Sequence, residues 1–443
     1  MKGLLLKNGR VIDPANGIDQ VAHVLVVGDT IRYVGNDEEF INNSLEVGNL
    51  EFRVIDCEGK CVTPGFIDTH AHFRDPGQTY KEDIMTGAES AASGGYTAVI
   101  TMANTVPPVD NVDTLRYVLE RGEKSCIDLY SAANITLGMK GEVLTDMESL
   151  TVSGAKVFTD DGKPLTNSCL IRNAMLKAKE LGMVLSFHEE DPSLIEVAGY
   201  NQGKVAELLG IKGAPACSED VMVARDIVLA MDTGCEICIQ HISSGKTVDI
   251  IREAKAQGAK IIGEVTPHHF SFTEEDLPRL KDEGRLTMGK MNPPLRTEWD
   301  RMKILEGLRD GTLDLIATDH APHSLSEKAG DFAKAPSGII GLETALSLGI
   351  VNLVDRGALT MMELVEKMSL APARLYKIDG GSLAQGQPAN IAVFDPEEVW
   401  VADEFHSKSQ NSPLLGKKLK GKIHYTIVRG RVVYDRIRKN WQN

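Results

Sequence analysis

VTPGFIDTHAH, residues 62–72, decides how this chain folds. A short apolar run punctuated by Pro64 and Gly65 reads as a buried strand, and it stops on a polar tail, Asp68-Thr69-His70-Ala71-His72. Seven further runs of the same kind follow: TAVITM (97–102), IDLYSAA (127–133), GAKVF (154–158), MVLSFH (183–188), EICIQH (236–241), KIIGEV (260–265) and LDLIATD (313–319). Between them lie helix candidates such as 168–182, SCLIRNAMLKAKELG, and 218–234, SEDVMVARDIVLAMDTG, each ending in glycine as helices often do. Eight apolar runs separated by helical stretches predict an α/β fold, a parallel (β/α)8 TIM-like barrel over residues 61–380, rather than an open doubly wound sheet. No Gly-rich dinucleotide fingerprint follows any of the runs, which weighs against a Rossmann arrangement.

Outside the barrel the two chain ends match in character. LLLKNGRVID (4–13), AHVLVVGDTIRYVG (22–35) and FRVIDCEG (52–59) are β-runs with Gly, Asn and Asp turns, and so are ANIAVFDP (389–396) and KIHYTIVRGRVVYD (422–435). A composite small β-sandwich domain built from 1–60 and 381–443 is expected, with the barrel inserted between its halves.

Composition excludes several functions. The 443 residues carry 48 Lys+Arg against 63 Asp+Glu, a net charge of −15, so no nucleic-acid partner is expected. The segment 415–443 dissents with nine Lys/Arg and one acid, Asp435; it reads as a solvated strand edge or subunit contact, in keeping with a homo-oligomer, expected to be a dimer. No apolar run approaches the roughly 18 residues of a membrane span. The start MKGLLLKNGRVI lacks a signal-peptide pattern, so no membrane association and a cytoplasmic location are expected. Seven scattered cysteines, an odd number, argue against a disulfide framework.

Reactive side chains of such barrels sit at the carboxyl ends of the strands. His70 and His72, two apart on an extended chain, point to one side and can hold one cation together. The fourth run contains Lys156, the fifth ends at His188, the sixth at His241 and the eighth at Asp319. Histidine nitrogens and carboxylate oxygens without thiolate suit Zn2+ or a similar divalent ion. Two ions would need a bridging anion. Lys156 could provide it as a carbamate, its neighbours Val157 and Phe158 reading as buried strand; alternatively Asp160 or Asp161, in the turn KVFTDDGKP, could reach in as a plain carboxylate.

DTHAHFRDPGQTYKEDI (68–84), MANTVPP (102–108), SFHEED (186–191), QHIS (240–243), KMNPPLR (290–296) and ATDHAPH (317–323) together resemble a type I dihydroorotase of the amidohydrolase superfamily. The resemblance spans the barrel and both flanking β-segments. Hydantoinase-like relatives share the histidines but usually lack an Arg two residues after His72 and an Asn before the Pro-Pro pair. The resemblance implies a binuclear zinc centre on His70, His72, His188, His241 and Asp319. It implies that Arg74, Asn104 and His323 bind a substrate carboxylate, with Asn292 lining the ring pocket. A planar cationic donor such as Arg74 suits a small anionic ring on chemical grounds as well. The implied activity interconverts N-carbamoyl-L-aspartate and L-dihydroorotate in pyrimidine synthesis, with Asp319 carrying the proton. Another cyclic-amide hydrolase, acting on hydantoin, dihydropyrimidine or allantoin, is the nearest rival; a metal-free scaffold relative is a more distant one. Many bacterial type I sequences with the Asp-Asp-Gly turn lack a lysine on the preceding strand, and this chain has both, so the bridge stays open between Lys156 and the turn.

Other motifs read as structural. Cys235-x-x-Cys238 lies inside a strand with no second pair for zinc, and His268-His269 reads as support for the rim.

Overall fold

The computed structural model describes residues 2–46 and 51–437; Arg438 and Lys439 of the basic segment lie outside the described residues. The strands of the described residues are β1 (Lys2–Asp13), β2 (Ile18–Val27), β3 (Thr30–Gly35), β4 (Glu51–Asp56), β5 (Cys61–Pro64), β6 (Phe66–Ala71), β7 (Tyr96–Thr101), β8 (Asp128–Ala133), β9 (Val157–Phe158), β10 (Leu185–Phe187), β11 (Ile237–Ile239), β12 (Ile261–Val265), β13 (Leu315–Ile316), β14 (Ile391–Val401), β15 (Lys418–Val428) and β16 (Arg431–Asp435). From β6 to β13 they pair in chain order, every neighbouring pair parallel. Each of the eight apolar runs thus holds one barrel strand. The cylinder closes between β13 and β6, where His72 N donates to the His320 carbonyl at 2.8 Å and Ala71 bridges His320 in parallel register. Asp68 fastens the same seam, accepting from the Thr318 N–H at 3.0 Å and from the Thr318 hydroxyl.

β6 and β7 are buried at every position, as strands covered on both faces must be. The helices pack outside. Asn167 caps Ser168–Leu181 by accepting from the Cys169 and Leu170 N–H groups, and Gly182 ends it at φ 66°. Ile171, Ala174, Met175 and Ala178 form its buried stripe, the three-to-four-residue spacing visible in the sequence. Cys217–Thr233 stops the same way, on Gly234 at φ 69°.

The second sheet runs β16-β15-β14-β5-β1-β2-β3, with β4 beside β1, and so joins both chain ends. Leu4, Leu6, Val24 and Val26 share one core with Ile391, Val393 and Ile427. β5, on the barrel side of the boundary expected at 60/61, pairs antiparallel with β14, Phe394 opposite Cys61 and Ile391 opposite Pro64. The run VTPGFIDTH is therefore two strands, one in each sheet, broken at Gly65. A Cβ at Gly65 would lie 2.2 Å from the Thr97 side chain, so the crossing admits only glycine without displacement.

The basic C-terminal segment is largely ion-paired. Lys417 reaches Glu283 at 3.0 Å, Lys420 reaches Asp355 at 3.0 Å and Arg429 reaches Asp128 at 3.0 Å, tying β15 and its flanks to the barrel. Lys422 Nζ lies 3.5 Å from the centre of the Trp400 ring. All seven cysteines are free, and Cys235 and Cys238 are buried. No helix of the described residues is long and apolar enough to cross a membrane.

Candidate metal centre and binding pocket

Four imidazoles and two carboxylates meet at the carboxyl ends of the barrel strands. His70 and His72 come from the end of β6, His188 and His241 from just beyond β10 and β11, and Asp319 from beyond β13. Asp161, three residues past β9, stands in their midst. Its Oδ2 lies 3.3 Å from His72 Nε2, and its Oδ1 lies 3.5 Å from His70 Nε2, 3.5 Å from His241 Nε2 and 3.8 Å from His188 Nδ1. Asp319 Oδ1 is 3.1 Å from His72 Nε2 and 3.6 Å from His70 Nε2. Donor atoms of His70, His72 and Asp319 lie within 4.8 Å of one another, and so do those of His70, Asp161 and His241.

The outer nitrogens of His70, His188 and His72 are held by carboxylates or an amide, while His241 Nδ1 is buried without a hydrogen bond. Glu264, on β12, accepts from His70 Nδ1 at 2.9 Å, from the His241 N–H at 3.3 Å and from the Thr69 hydroxyl at 3.1 Å. Glu190 takes His188 Nε2 at 3.0 Å, and Asn104 Oδ1 takes His72 Nδ1 at 2.9 Å while its Nδ2 donates to the Asp161 carbonyl at 3.2 Å. Such partners fix which ring nitrogen faces inward. Arg74 (φ 58°), His241 (φ 34°) and Asp319 (φ 46°) all hold left-handed backbone, a strained state at about 1–3 kcal/mol each that clusters at functional sites.

Electrostatics call for positive charge here. Burial alone would lower the His70 pKa, but the charges of Asp161 and Glu264 outweigh it and hold the ring well above the ordinary histidine value. Burial likewise opposes Asp161's charge, yet the surrounding imidazoles keep its carboxyl well below the usual range. His70 Nε2 is buried without a hydrogen bond, although buried polar atoms are almost always partnered. The donor set of nitrogen and oxygen fits a divalent metal ion.

Beside the cluster opens a pocket of about 200 Å³ whose wall includes Arg74, Asn104, Gly162, Asn292, His323 and Ser337. Arg74 Nε donates to the Pro322 carbonyl at 3.2 Å, and its Nη2 is 3.4 Å from His323 Nε2. Asn292 Oδ1 accepts from the Ser337 hydroxyl at 3.3 Å. The dihydro-orotase-like family model matches residues 59–247. A dihydroorotase of Clostridioides difficile (strain 630) is 54% identical over 432 residues, covering 98% of this chain and 100% of that one.

The chain belongs to the dihydroorotase family.

A dihydroorotase of Clostridium acetobutylicum is 49% identical, covering 98% of this chain and 99% of its own. Among solved structures, the L-hydantoinase (dihydropyrimidinase) of Arthrobacter aurescens superposes with a TM-score of 0.85 at 24% identity, covering 99% of this chain and 97% of that chain. The dihydropyrimidinase of Brevibacillus agri NCHU1002 gives 0.84 at 22% identity, covering 99% and 96%. At such identities these two share the fold and carry no more than that.

In this member of the dihydroorotase family two expected bridging groups stand away from the cluster. Lys156 precedes β9, at the opposite end of the strand from Asp161. Its half-exposed ammonium donates to the Lys377 carbonyl at 2.7 Å and lies 5.1 Å from the Tyr130 ring centre. Val157 and Phe158 are buried as expected, but Lys156 stands at the entrance of the strand, where its long side chain runs out to the Lys377 carbonyl and away from the histidines at the other end. Asp160 is turned aside as well: it accepts from the Ile135 N–H at 2.9 Å, the Thr136 N–H at 3.2 Å and the Thr136 hydroxyl. It pins the loop after β8, and its neighbour Asp161 faces the histidines. His269 accepts from the Thr266 hydroxyl at 2.8 Å and donates to the Pro293 carbonyl at 3.0 Å, propping the segment that carries Asn292.

Glu264, Glu190 and Lys81 are the residues that sequence reasoning missed. Glu264 left a trace, a lone acid inside the apolar run KIIGEV. Lys81 left none.

Proposed function

We propose that this chain catalyses the reversible, metal-dependent hydrolysis of the L-dihydroorotate ring to N-carbamoyl-L-aspartate, the dihydroorotase reaction of pyrimidine synthesis. The observation that carries this reading is the guanidinium of Arg74 in the wall of the pocket that opens on the histidine–carboxylate cluster. A ring amide and a carboxylate on one small substrate need those two features side by side.

His70, His72 and Asp319 would hold one ion, and His188 and His241 a second, with Asp161 shared because its two oxygens face different histidines. Asp161, Asp319, Glu264 and Glu190 together bring four negative charges to the neutral rings, enough to balance two divalent cations. Metal held by these residues would supply polarisation of the ring carbonyl and a lowered pKa for a water molecule. Arg74 and His323 take the carboxylate and orient the ring, while Asn292 lines its edge. Asp319 accepts the proton of the attacking water and returns it to the departing ring nitrogen, a base and then an acid. Zinc as the metal, two ions per chain and a homodimeric, cytoplasmic enzyme are the finer parts of this proposal.

Ring opening assayed before and after chelation tests it. Activity on L-dihydroorotate should vanish with the metal and return with added zinc. Turnover of hydantoin or dihydrouracil with none of L-dihydroorotate would assign the site to the rival cyclic amides.

A further inference from the structure

Residues 402–417, which join β14 to β15, belong to the small β-domain, yet they bind the loops that bear the pocket. Lys408 Nζ donates to the Thr79 carbonyl at 2.8 Å, the Ser407 hydroxyl to Glu82, and the Ser409 hydroxyl to the Lys81 carbonyl at 2.7 Å. Lys81 Nζ in turn lies 3.3 Å from His323 Nδ1. The buried Asn411 reaches the pocket wall itself. Its Oδ1 accepts from the His323 N–H at 3.0 Å, and its Nδ2 donates to the Ala321 carbonyl at 3.0 Å. One side-chain amide thus takes both backbone groups that flank Pro322, as an adjoining strand would. The second Nδ2 hydrogen goes to the Gly338 carbonyl at 3.2 Å, which Lys328 also holds, at 2.9 Å. A carboxylate in the same place could accept from His323 but could donate to neither carbonyl.

Between those two bonds stands the Pro322 carbonyl, which accepts from Arg74 Nε at 3.2 Å. Proline has no N–H of its own to be tied down, so its neighbours must hold it. The other contact of the guanidinium is weaker. Nη2 is 3.4 Å from His323 Nε2, a nitrogen whose hydrogen goes to the Ser337 carbonyl at 3.0 Å. We propose that Asn411 is a positioning residue for Arg74: by bracketing Pro322 it fixes the carbonyl that aims the guanidinium. This rests on the reading that Arg74 receives the substrate carboxylate. With Nε committed to Pro322, the Nη groups are left for the anion, and the plane of the fork is set before substrate arrives. The small β-domain then takes part in recognition through one amide, although the charge that binds comes from the barrel.

Asn411→Ala tests the role. The KM for L-dihydroorotate should rise about tenfold, with kcat and metal content within about twofold of the wild-type chain, because a misaimed guanidinium weakens ground state and transition state alike. On an Arg74→Met background the same substitution should change kcat/KM by less than about twofold, since the group it positions is gone. Lys408→Met loosens the connection at Thr79 and Asp83, leaves Asn411 in place, and should keep KM. Amide hydrogen exchange at His323 reads the bracket without any assay. It should be slow in the wild-type chain and at least about tenfold faster in Asn411→Ala. An unchanged KM in Asn411→Ala, losses that simply add on the Arg74→Met background, or an equal rise of KM in Lys408→Met would overturn the proposal. So would a wild-type His323 amide that exchanges like one in an exposed loop, a result that requires no variant to fold. A wild-type chain inactive on L-dihydroorotate would sink the functional reading instead, and the exchange rates would still decide whether Asn411 holds the bracket.

Discussion

Asp161→Asn is expected to abolish both metal retention and turnover. Its carboxylate is the group that four histidines share, at 3.3–3.8 Å. A neutral amide offers one accepting oxygen and no charge, so the rings would face one another without a common anion. Loss of even an outer partner of a metal ligand costs about 10–100-fold in affinity, and loss of a shared ligand should exceed that. Metal polarisation contributes several kcal/mol to such hydrolyses, and about 1.4 kcal/mol is a factor of ten, so kcat/KM should fall about 10³-fold or more. Elemental analysis and ring-opening assays read the two effects. Lys156→Met is the matched control: it removes a bond to the Lys377 carbonyl on the far side of the strand and should leave metal content and kcat/KM within about twofold. The reverse outcome, with Lys156 essential and Asp161 dispensable, would restore a carbamate bridge.

Arg74→Met should act on the substrate and leave the metal in place. Truncating one partner of a buried, hydrogen-bonded charge pair costs about 2–5 kcal/mol, or about 30-fold to about 5,000-fold in kcat/KM. The loss should be confined to the carboxylated ring. Any residual turnover of dihydrouracil should be unaffected, since that ring has no carboxylate to lose, and metal content should match the wild-type chain. Equal losses on both rings would show that Arg74 supports the pocket and does not read the anion.

Much of this architecture is legible in the sequence because its signals are periodic. Eight buried runs between helical stripes describe a parallel barrel before any coordinate is known, and each of the eight holds one of its strands. The rule that reactive groups follow strand ends points to His70, His72, His188, His241 and Asp319, and the structure brings these five together. Applied strictly, the same rule disfavours Lys156, which precedes its strand. What local pattern cannot supply is the direction of a side chain in a turn. Asp160 and Asp161 are adjacent and chemically identical, and only the backbone of the loop sends one to the Thr136 amide and the other to the histidines. Contacts across long sequence separations were equally hidden. Glu264 meets His70 194 residues away, and Lys81 meets His323 242 residues away. Nor does the run VTPGFIDTH announce that Gly65 divides it between two sheets; that follows from the packing of Thr97 against the crossing.

Anomalous diffraction at the zinc edge, on crystals grown with zinc, is the most direct test of a carboxylate-bridged centre. Two peaks should flank the Asp161 side chain, one against His70, His72 and Asp319 and the other against His188 and His241. No peak beside Asp161, or metal bound through density extending from Lys156 Nζ, would contradict it.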